Sequence, residues 1–149
     1  MAEMLFYHMT ESRLEEALPR LLEMSLERGY RVAVQAGNEA SRDALDGLLW
    51  TYRDDSFLPH GPETCEFAAQ HPVLLTACAA NPNNADVRFL VDGAEPGDLS
   101  GYKRAVFMFD GFSAEAVDAA RQNWKRFKGE GHDLSYWQQN RDGRWEKKA

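Results

Sequence analysis

Near the C-terminus three cations recur at the spacing of one helical stripe: Arg121, Lys125 and Lys128, at i, i+4 and i+7. At about 100° per residue, Val117, Ala120, Trp124 and Phe127 form an adjoining apolar arc. Trp124 stands on its border beside the cations, and Arg126 points the other way. Fixed positive charge beside an indole suits a ligand that is both anionic and apolar. Its carboxylate meets the guanidinium fork and its side chain meets the ring. A solvated amphipathic helix, its lysines lying over the core edge, gives the same pattern. Stacking of single-stranded DNA bases on Trp124 is a third reading.

A second candidate lies in Leu48–Gly61 (LLWTYRDDSFLPHG). If Leu45, Leu49 and Tyr52 face a core, Trp50 falls about 100° or more from their mean direction. Phe57, Leu58 and Pro59 follow in a segment with no strand alternation. A Trp and a Phe exposed together make an interface anchor; a loop folding back so that Phe57 covers Trp50 is the other reading.

Two strand-like runs end in Asp-Gly, at Asp92-Gly93 and Asp110-Gly111. The two carboxylates could share a divalent ion at the carboxyl edge of a sheet, which would make a metal-dependent phosphohydrolase or nuclease. Asp-Gly is also among the commonest turn pairs, and turns are the favoured reading. Other chemistry finds no frame. No G-x-G-x-x-G or G-x-x-x-x-G-K-[ST] follows a strand, and Ala36-Gly37-Asn38-Glu39 puts an acid where a phosphate would sit. Cys65, His71 and Cys78 lack zinc-ligand spacing, Cys78 reads as packed core, and His60 reads as a loop residue. There is no G-x-S-x-G elbow and no catalytic setting for Cys65. No catalytic site, metal or cofactor is therefore expected.

The elements that must position these residues alternate. Met4–Met9, Arg31–Ala36, Val73–Cys78, Arg88–Val91 and Ala105–Phe109 read as strands. A first helix opens at Ser12 with a capping box to Glu15 and carries Leu14, Leu18, Leu21 and Leu22 on one face. Pro19 interrupts it and Gly29 ends it. A second helix covers about Glu39–Tyr52 and a long loop Arg53–His71. The last helix is capped by Ser113 and stops at Gly129 or Gly131. Ser135–Trp145 turns at Asp142-Gly143, as a hairpin or a docked tail. The pattern predicts an α/β domain with a mostly parallel central sheet covered on both faces.

At 149 residues, 44% hydrophobic and 28% charged, the chain predicts one globular domain over 1–149. No apolar run approaches the about 20 residues that span a bilayer, and no membrane partner is expected. The N-terminus lacks the basic run of a secretory leader, and two cysteines make no disulfide framework, so a cytoplasmic location is expected. Residues 1–120 hold 9 Lys/Arg against 20 Asp/Glu, whereas 121–149 hold 8 against 4. An acidic body repels nucleic-acid phosphates; a basic end suits a local acidic ligand.

Together these residues resemble a known family. Leu5-Phe6-Tyr7, Leu49-Trp50, Ser56-Phe57-Leu58-Pro59-His60 and Ala120-Arg121 through Trp124-Lys125 to Gly131-His132 resemble the chi subunit of bacterial DNA polymerase III holoenzyme. The tail from His132 to Gln139, with Gly143 and Trp145, is similar to the extended C-terminus of alphaproteobacterial forms. The resemblance covers essentially the whole chain, with a basic C-terminal extension at about 133–149. It implies a Rossmann-like three-layer α/β fold and a non-enzymatic replication adaptor of the clamp-loader complex, in the replisome at the bacterial nucleoid. It further implies capture of the acidic, phenylalanine-ended C-terminal tail of single-stranded DNA-binding protein at Arg121, Trp124, Lys125 and Lys128, so that DNA contact is mostly indirect. A psi subunit or a helicase is implied at a second surface, Trp50, Phe57, Leu58 and Pro59. Where forms of the family carry a tyrosine in the last helix, this chain has Trp124, which keeps the stacking face and loses the hydroxyl.

Overall fold

A computed structural model describes residues 3–11, 13–51, 60–62, 73–77, 85–91, 93–95, 99, 101–142 and 144–148. In chain order they form β1 (Glu3–Met9), α1 (Leu14–Glu27), β2 (Val32–Gln35), α2 (Glu39–Thr51), β3 (His60–Pro62) and β4 (Val73–Thr76). Then come β5 (Val87–Leu90), β6 (Arg104–Asp110), α3 (Ala114–Gly129), β7 (Asp133–Gln139) and β8 (Trp145–Lys147). The strands make one sheet in the order β3-β4-β2-β5-β6-β1-β7-β8. Every neighbouring pair is parallel except β7 with β8.

Parallel strands covered on both faces carry continuous apolar runs, and all four residues of β2, β4 and β5 are buried. The two-residue period then divides the core. Leu5 and Met9 of β1 and Val106 and Met108 of β6 pack with Leu18 and Leu22 of α1 and Leu45 of α2. Met4 and Phe6 of β1 and Phe107 and Phe109 of β6 face the other way, against Ala120 and Phe127 of α3. The result is the three-layer α/β arrangement that the sequence predicts. Arg88 is the exception inside a buried strand. At 1% exposure, its Nε and Nη2 donate to Gln35 Oε1 at 3.0 and 2.8 Å and its Nη1 to Tyr102 Oη at 2.9 Å. Gln35 Nε2 in turn donates to the Glu95 carbonyl at 2.8 Å, so the buried guanidinium anchors the segment that follows β5.

Both glycine stops form as the sequence predicts. At α1, Gly29 (φ +83°) donates to the Leu26 carbonyl and Tyr30 to that of Ser25. At α3, Gly131 (φ +87°) donates to Lys128 and His132 to Phe127, with the His132 and Phe127 rings 5.7 Å apart. These are paired Schellman bonds with their accompanying side-chain contact. Ser113 caps α3, its Oγ accepting from Ala116 N at 3.2 Å.

The structure corrects some expectations in detail and decides between the two left open for the C-terminal stretch. The first helix has Arg13 at its N-cap with no side-chain cap; the Arg13 carbonyl accepts from both Glu16 and Ala17, and Ser12 lies outside the described residues. The helix continues through Pro19 to Glu27. The expected loop 53–71 holds β3, an edge strand pairing only with β4, where Pro62 removes no ladder bond from an inner partner. The C-terminal stretch is a hairpin. The Asn140 side chain accepts from Asp142 N and Arg144 N, and β7 adds to the sheet beside β1.

Candidate functional site

The α3 helix crosses its sheet face with Phe127 and Ala120 buried and Val117 and Trp124 half-buried. That leaves one flank of the helix unfilled. The floor there is aromatic because β1, β6 and β7 bring Phe6, Phe109 and Tyr136 to the same face. Phe6 stacks on Phe107 at 4.6 Å and takes the edge of Trp124 at 5.3 Å. Trp124 in turn meets Tyr136 edge-on at 6.1 Å. Such edge-to-face sets fix ring orientation as well as burying area.

Between these rings is a cleft of about 370 Å³, lined by Phe6, Phe109, Val117, Ala120, Trp124 and Tyr136, with Arg121 and Lys125 at its margin. Both cations are exposed, and neither joins an ion pair among the described residues. Arg126, on the other flank, is held by Glu130 at 3.1 Å. The cleft is therefore apolar inside and positive at its mouth.

Beneath it the polar groups are neutral. His8 Nδ1 hydrogen-bonds the Tyr136 hydroxyl. Burial lowers the His8 pKa; a backbone hydrogen bond with Gly111 opposes that, Arg121 adds to it, and Asp110 opposes it. Burial raises the Tyr136 pKa, with Arg121 opposing. In a neutral ring Nδ1 can accept the Tyr136 O–H while the backbone bond with Gly111 is kept. Gly111 has no room for a side chain: a Cβ there would collide with the His8 imidazole and lie 2.7 Å from the Met9 carbonyl oxygen.

The structure brings Arg121, Trp124 and Lys125 together. Lys128, also exposed, is not among the cleft-lining residues. Trp50 belongs to α2, which packs on the opposite sheet face, and Phe57, Leu58, Pro59 and Asp92 lie outside the described residues. Asp110 is exposed and its Oδ1 accepts from Phe112 N at 2.9 Å, which is turn chemistry. Among the described residues no three His, Cys, Asp or Glu side chains gather as metal ligands, and no helix is long and apolar enough to cross a membrane. Tyr136, His8 and Phe109 were absent from the sequence-based site. Only the pairing of β1 with β6 and β7 brings them to α3, and no local spacing signals that pairing.

A larger cleft, about 1160 Å³, opens at the carboxyl ends of β1, β5 and β6 on the Arg126 flank of α3. Its lining mixes Glu11, Glu95 and Glu115 with Arg13 and Arg126, and Phe112 stands 83% exposed at its edge.

Sequence comparison supplies relatives for this arrangement. A family described as DNA polymerase III chi subunit, HolC, matches residues 1–135. A protein of Rickettsia prowazekii named probable DNA polymerase III subunit chi is 24% identical over 100% of this chain and 93% of its own. The DNA polymerase III subunit chi of Pseudomonas aeruginosa is 29% identical over 83% of this chain and 84% of its own.

Proposed function

The chain belongs to the DNA polymerase III chi subunit family, with a replication accessory role, and from that premise we propose that it is a non-enzymatic adaptor. Its ligand is the acidic, phenylalanine-ended C-terminal tail of single-stranded DNA-binding protein, and it links that protein to the clamp-loader assembly. The observation carrying this reading is the pair of cations, Arg121 and Lys125, without an ion-pair partner among the described residues, at the mouth of an apolar cleft walled by Trp124. The terminal carboxylate meets Arg121 in a charge-assisted bond, and the terminal aromatic side chain displaces water from the rings. Upstream acids meet Lys125 and, one turn on, Lys128. Contact with DNA is then indirect, through the protein that coats it.

A second partner, a psi subunit or a helicase, docks at Trp50, Phe57, Leu58 and Pro59. In favour of simultaneous binding, α2 and α3 cover opposite faces of the sheet.

A fluorescent acidic peptide ending in Phe tests the first site. Arg121→Ala is expected to weaken binding by about 1.5–3 kcal/mol, the range for hydrogen bonds to charged groups. Salt is expected to weaken the wild-type complex as well. Equal affinity for wild type and Arg121→Ala would remove the site.

A further inference from the structure

The family match ends at residue 135, yet the cleft does not. Tyr136, the next residue, forms its far wall opposite α3. The strand that carries it is firmly held. Gln139 Oε1 accepts from Thr10 N and Glu11 N at 3.2 and 3.0 Å, and the Gln139 carbonyl accepts from Thr10 Oγ1 at 3.1 Å. On the sheet face away from the cleft, Trp145 of β8 packs edge-on against Tyr7 at 4.7 Å. The hairpin is thus a built wall, clamped from both ends.

Its register has a chemical consequence. Trp137 pairs with Lys147 and Gln138 with Glu146, and the next bond of the ladder runs from Lys148 N to the Tyr136 carbonyl at 2.7 Å. Residues directly opposite across an antiparallel pair point to the same face, with Cβ atoms about 4.5–5.5 Å apart. Lys148 therefore stands beside Tyr136 on the cleft side. It reaches Glu146 at 3.5 Å, with both side chains about half exposed, an ion pair worth little and easily exchanged. Arg121 and Lys125 line the cleft from α3, and Lys148 of β8 stands next to its Tyr136 wall without lining it.

We propose that the β7–β8 hairpin completes the peptide site, Tyr136 forming the wall against the ligand's apolar terminal residue and Lys148 meeting the acidic residues upstream of it. This rests on the tail-binding reading given above and extends it to a part of the chain outside the family match. The occupant is an extended anionic peptide with an apolar end, chosen by charge: two cations line an apolar floor, and Lys148 stands beside its Tyr136 wall, with the nearby Glu146 already matched to it.

Two fluorescent peptides test it on the full-length chain, both ending in Phe with a free carboxylate. One carries three Asp upstream; in the other these are Ser. Arg121→Ala is expected to weaken both. Tyr136→Ala is expected to weaken both about tenfold, the effect of an interface anchor losing its ring. Tyr136→Phe, which keeps the ring, serves where the alanine variant fails to fold. It is expected to bind both peptides within about twofold of wild type, because the ring supplies the apolar wall. Lys148→Glu, a half-exposed change, is expected to weaken the Asp peptide about three- to tenfold and leave the Ser peptide unchanged, the pattern of a rim charge. If Arg121→Ala weakens binding while Lys148→Glu binds the Asp peptide as wild type does, the hairpin's part is overturned and the α3 site stands. If wild type binds neither peptide, the tail-binding reading falls, and the hairpin's part with it.

Discussion

The cleft beside Trp124 is the smaller of two that flank α3, about 370 Å³ against about 1160 Å³ at the strand ends. The larger occupies the position where parallel α/β sheets commonly bind ligands. Its lining carries both signs of charge, and Arg126, the α3 cation facing it, forms an exposed pair with Glu130. The smaller cleft has an aromatic floor and two cations with no partner among the described residues. Volume therefore does not identify the site. The tail-binding proposal rests instead on aromatic rings beside charge of one sign, because both halves of an amphipathic anionic ligand would gain there at once.

The largest effect expected concerns the frame of the larger cleft. Arg88→Ala removes a fully buried side chain and strips Gln35 and Tyr102 of their donor, and it is expected to destabilise the fold by about 2–5 kcal/mol. A denaturant melt measures this; peptide affinity of the remaining folded fraction should be unchanged.

The two arginines of α3 sharpen the contrast. Arg121→Ala is expected to cost peptide binding about 1.5–3 kcal/mol, and Arg126→Ala nothing in binding. Loss of the exposed Arg126–Glu130 pair should cost less than about 0.5 kcal/mol of stability. Equal effects of both variants on titration would erase the distinction between the clefts.

Gly111→Ala is a smaller perturbation placed under the site. Its Cβ displaces His8, and overpacking of this kind costs about 1–3 kcal/mol. Because the displaced imidazole packs against the Tyr136 ring, peptide binding should weaken along with thermal stability.

The smallest expected effect is a pH dependence. Burial, the largest influence, lowers the His8 pKa, with Arg121 acting the same way and the Gly111 backbone and Asp110 opposing. The folded state favours the neutral ring, so the stability His8 contributes is complete above the unfolded value of about 6.5 and is lost as pH falls through the lower folded value. A protonated ring has no acceptor for the Tyr136 O–H. Thermal stability should therefore decline on acidification below pH 6.5, and His8→Gln should flatten the profile. A wild-type profile already flat through that range would contradict the lowered His8 pKa.

Much of the positioning could be read from local spacing. The apolar arc of α3 ends where Gly131 allows a Schellman stop, Ser113 caps it, and its cations fall on one stripe. Burial on both faces marks β2 and β4 by apolar runs that end in Gln35 and Thr76, whereas Arg88 breaks that of β5. The other half of the cleft is non-local. Phe6, Phe109 and Tyr136 meet only because β1 sits between β6 and β7, a pairing that no window of sequence records. Asp110-Gly111 was legible as a turn, but the reason for its glycine, the close approach of His8, was not. That Arg88 is buried could not be read from periodicity, since the partners that permit it lie on β2 and at Tyr102.

The tryptophans offer the most direct measurement. Trp124 lines the cleft, while Trp137 and Trp145 pack on the opposite sheet face. In an NMR titration of the full-length chain with the acidic Phe-ended peptide, the Trp124 indole N–H resonance is expected to shift and saturate, with those of Trp137 and Trp145 unmoved. A saturating peptide that leaves Trp124 unshifted, or that shifts Trp137 and Trp145 instead, would contradict a tail-binding cleft on α3.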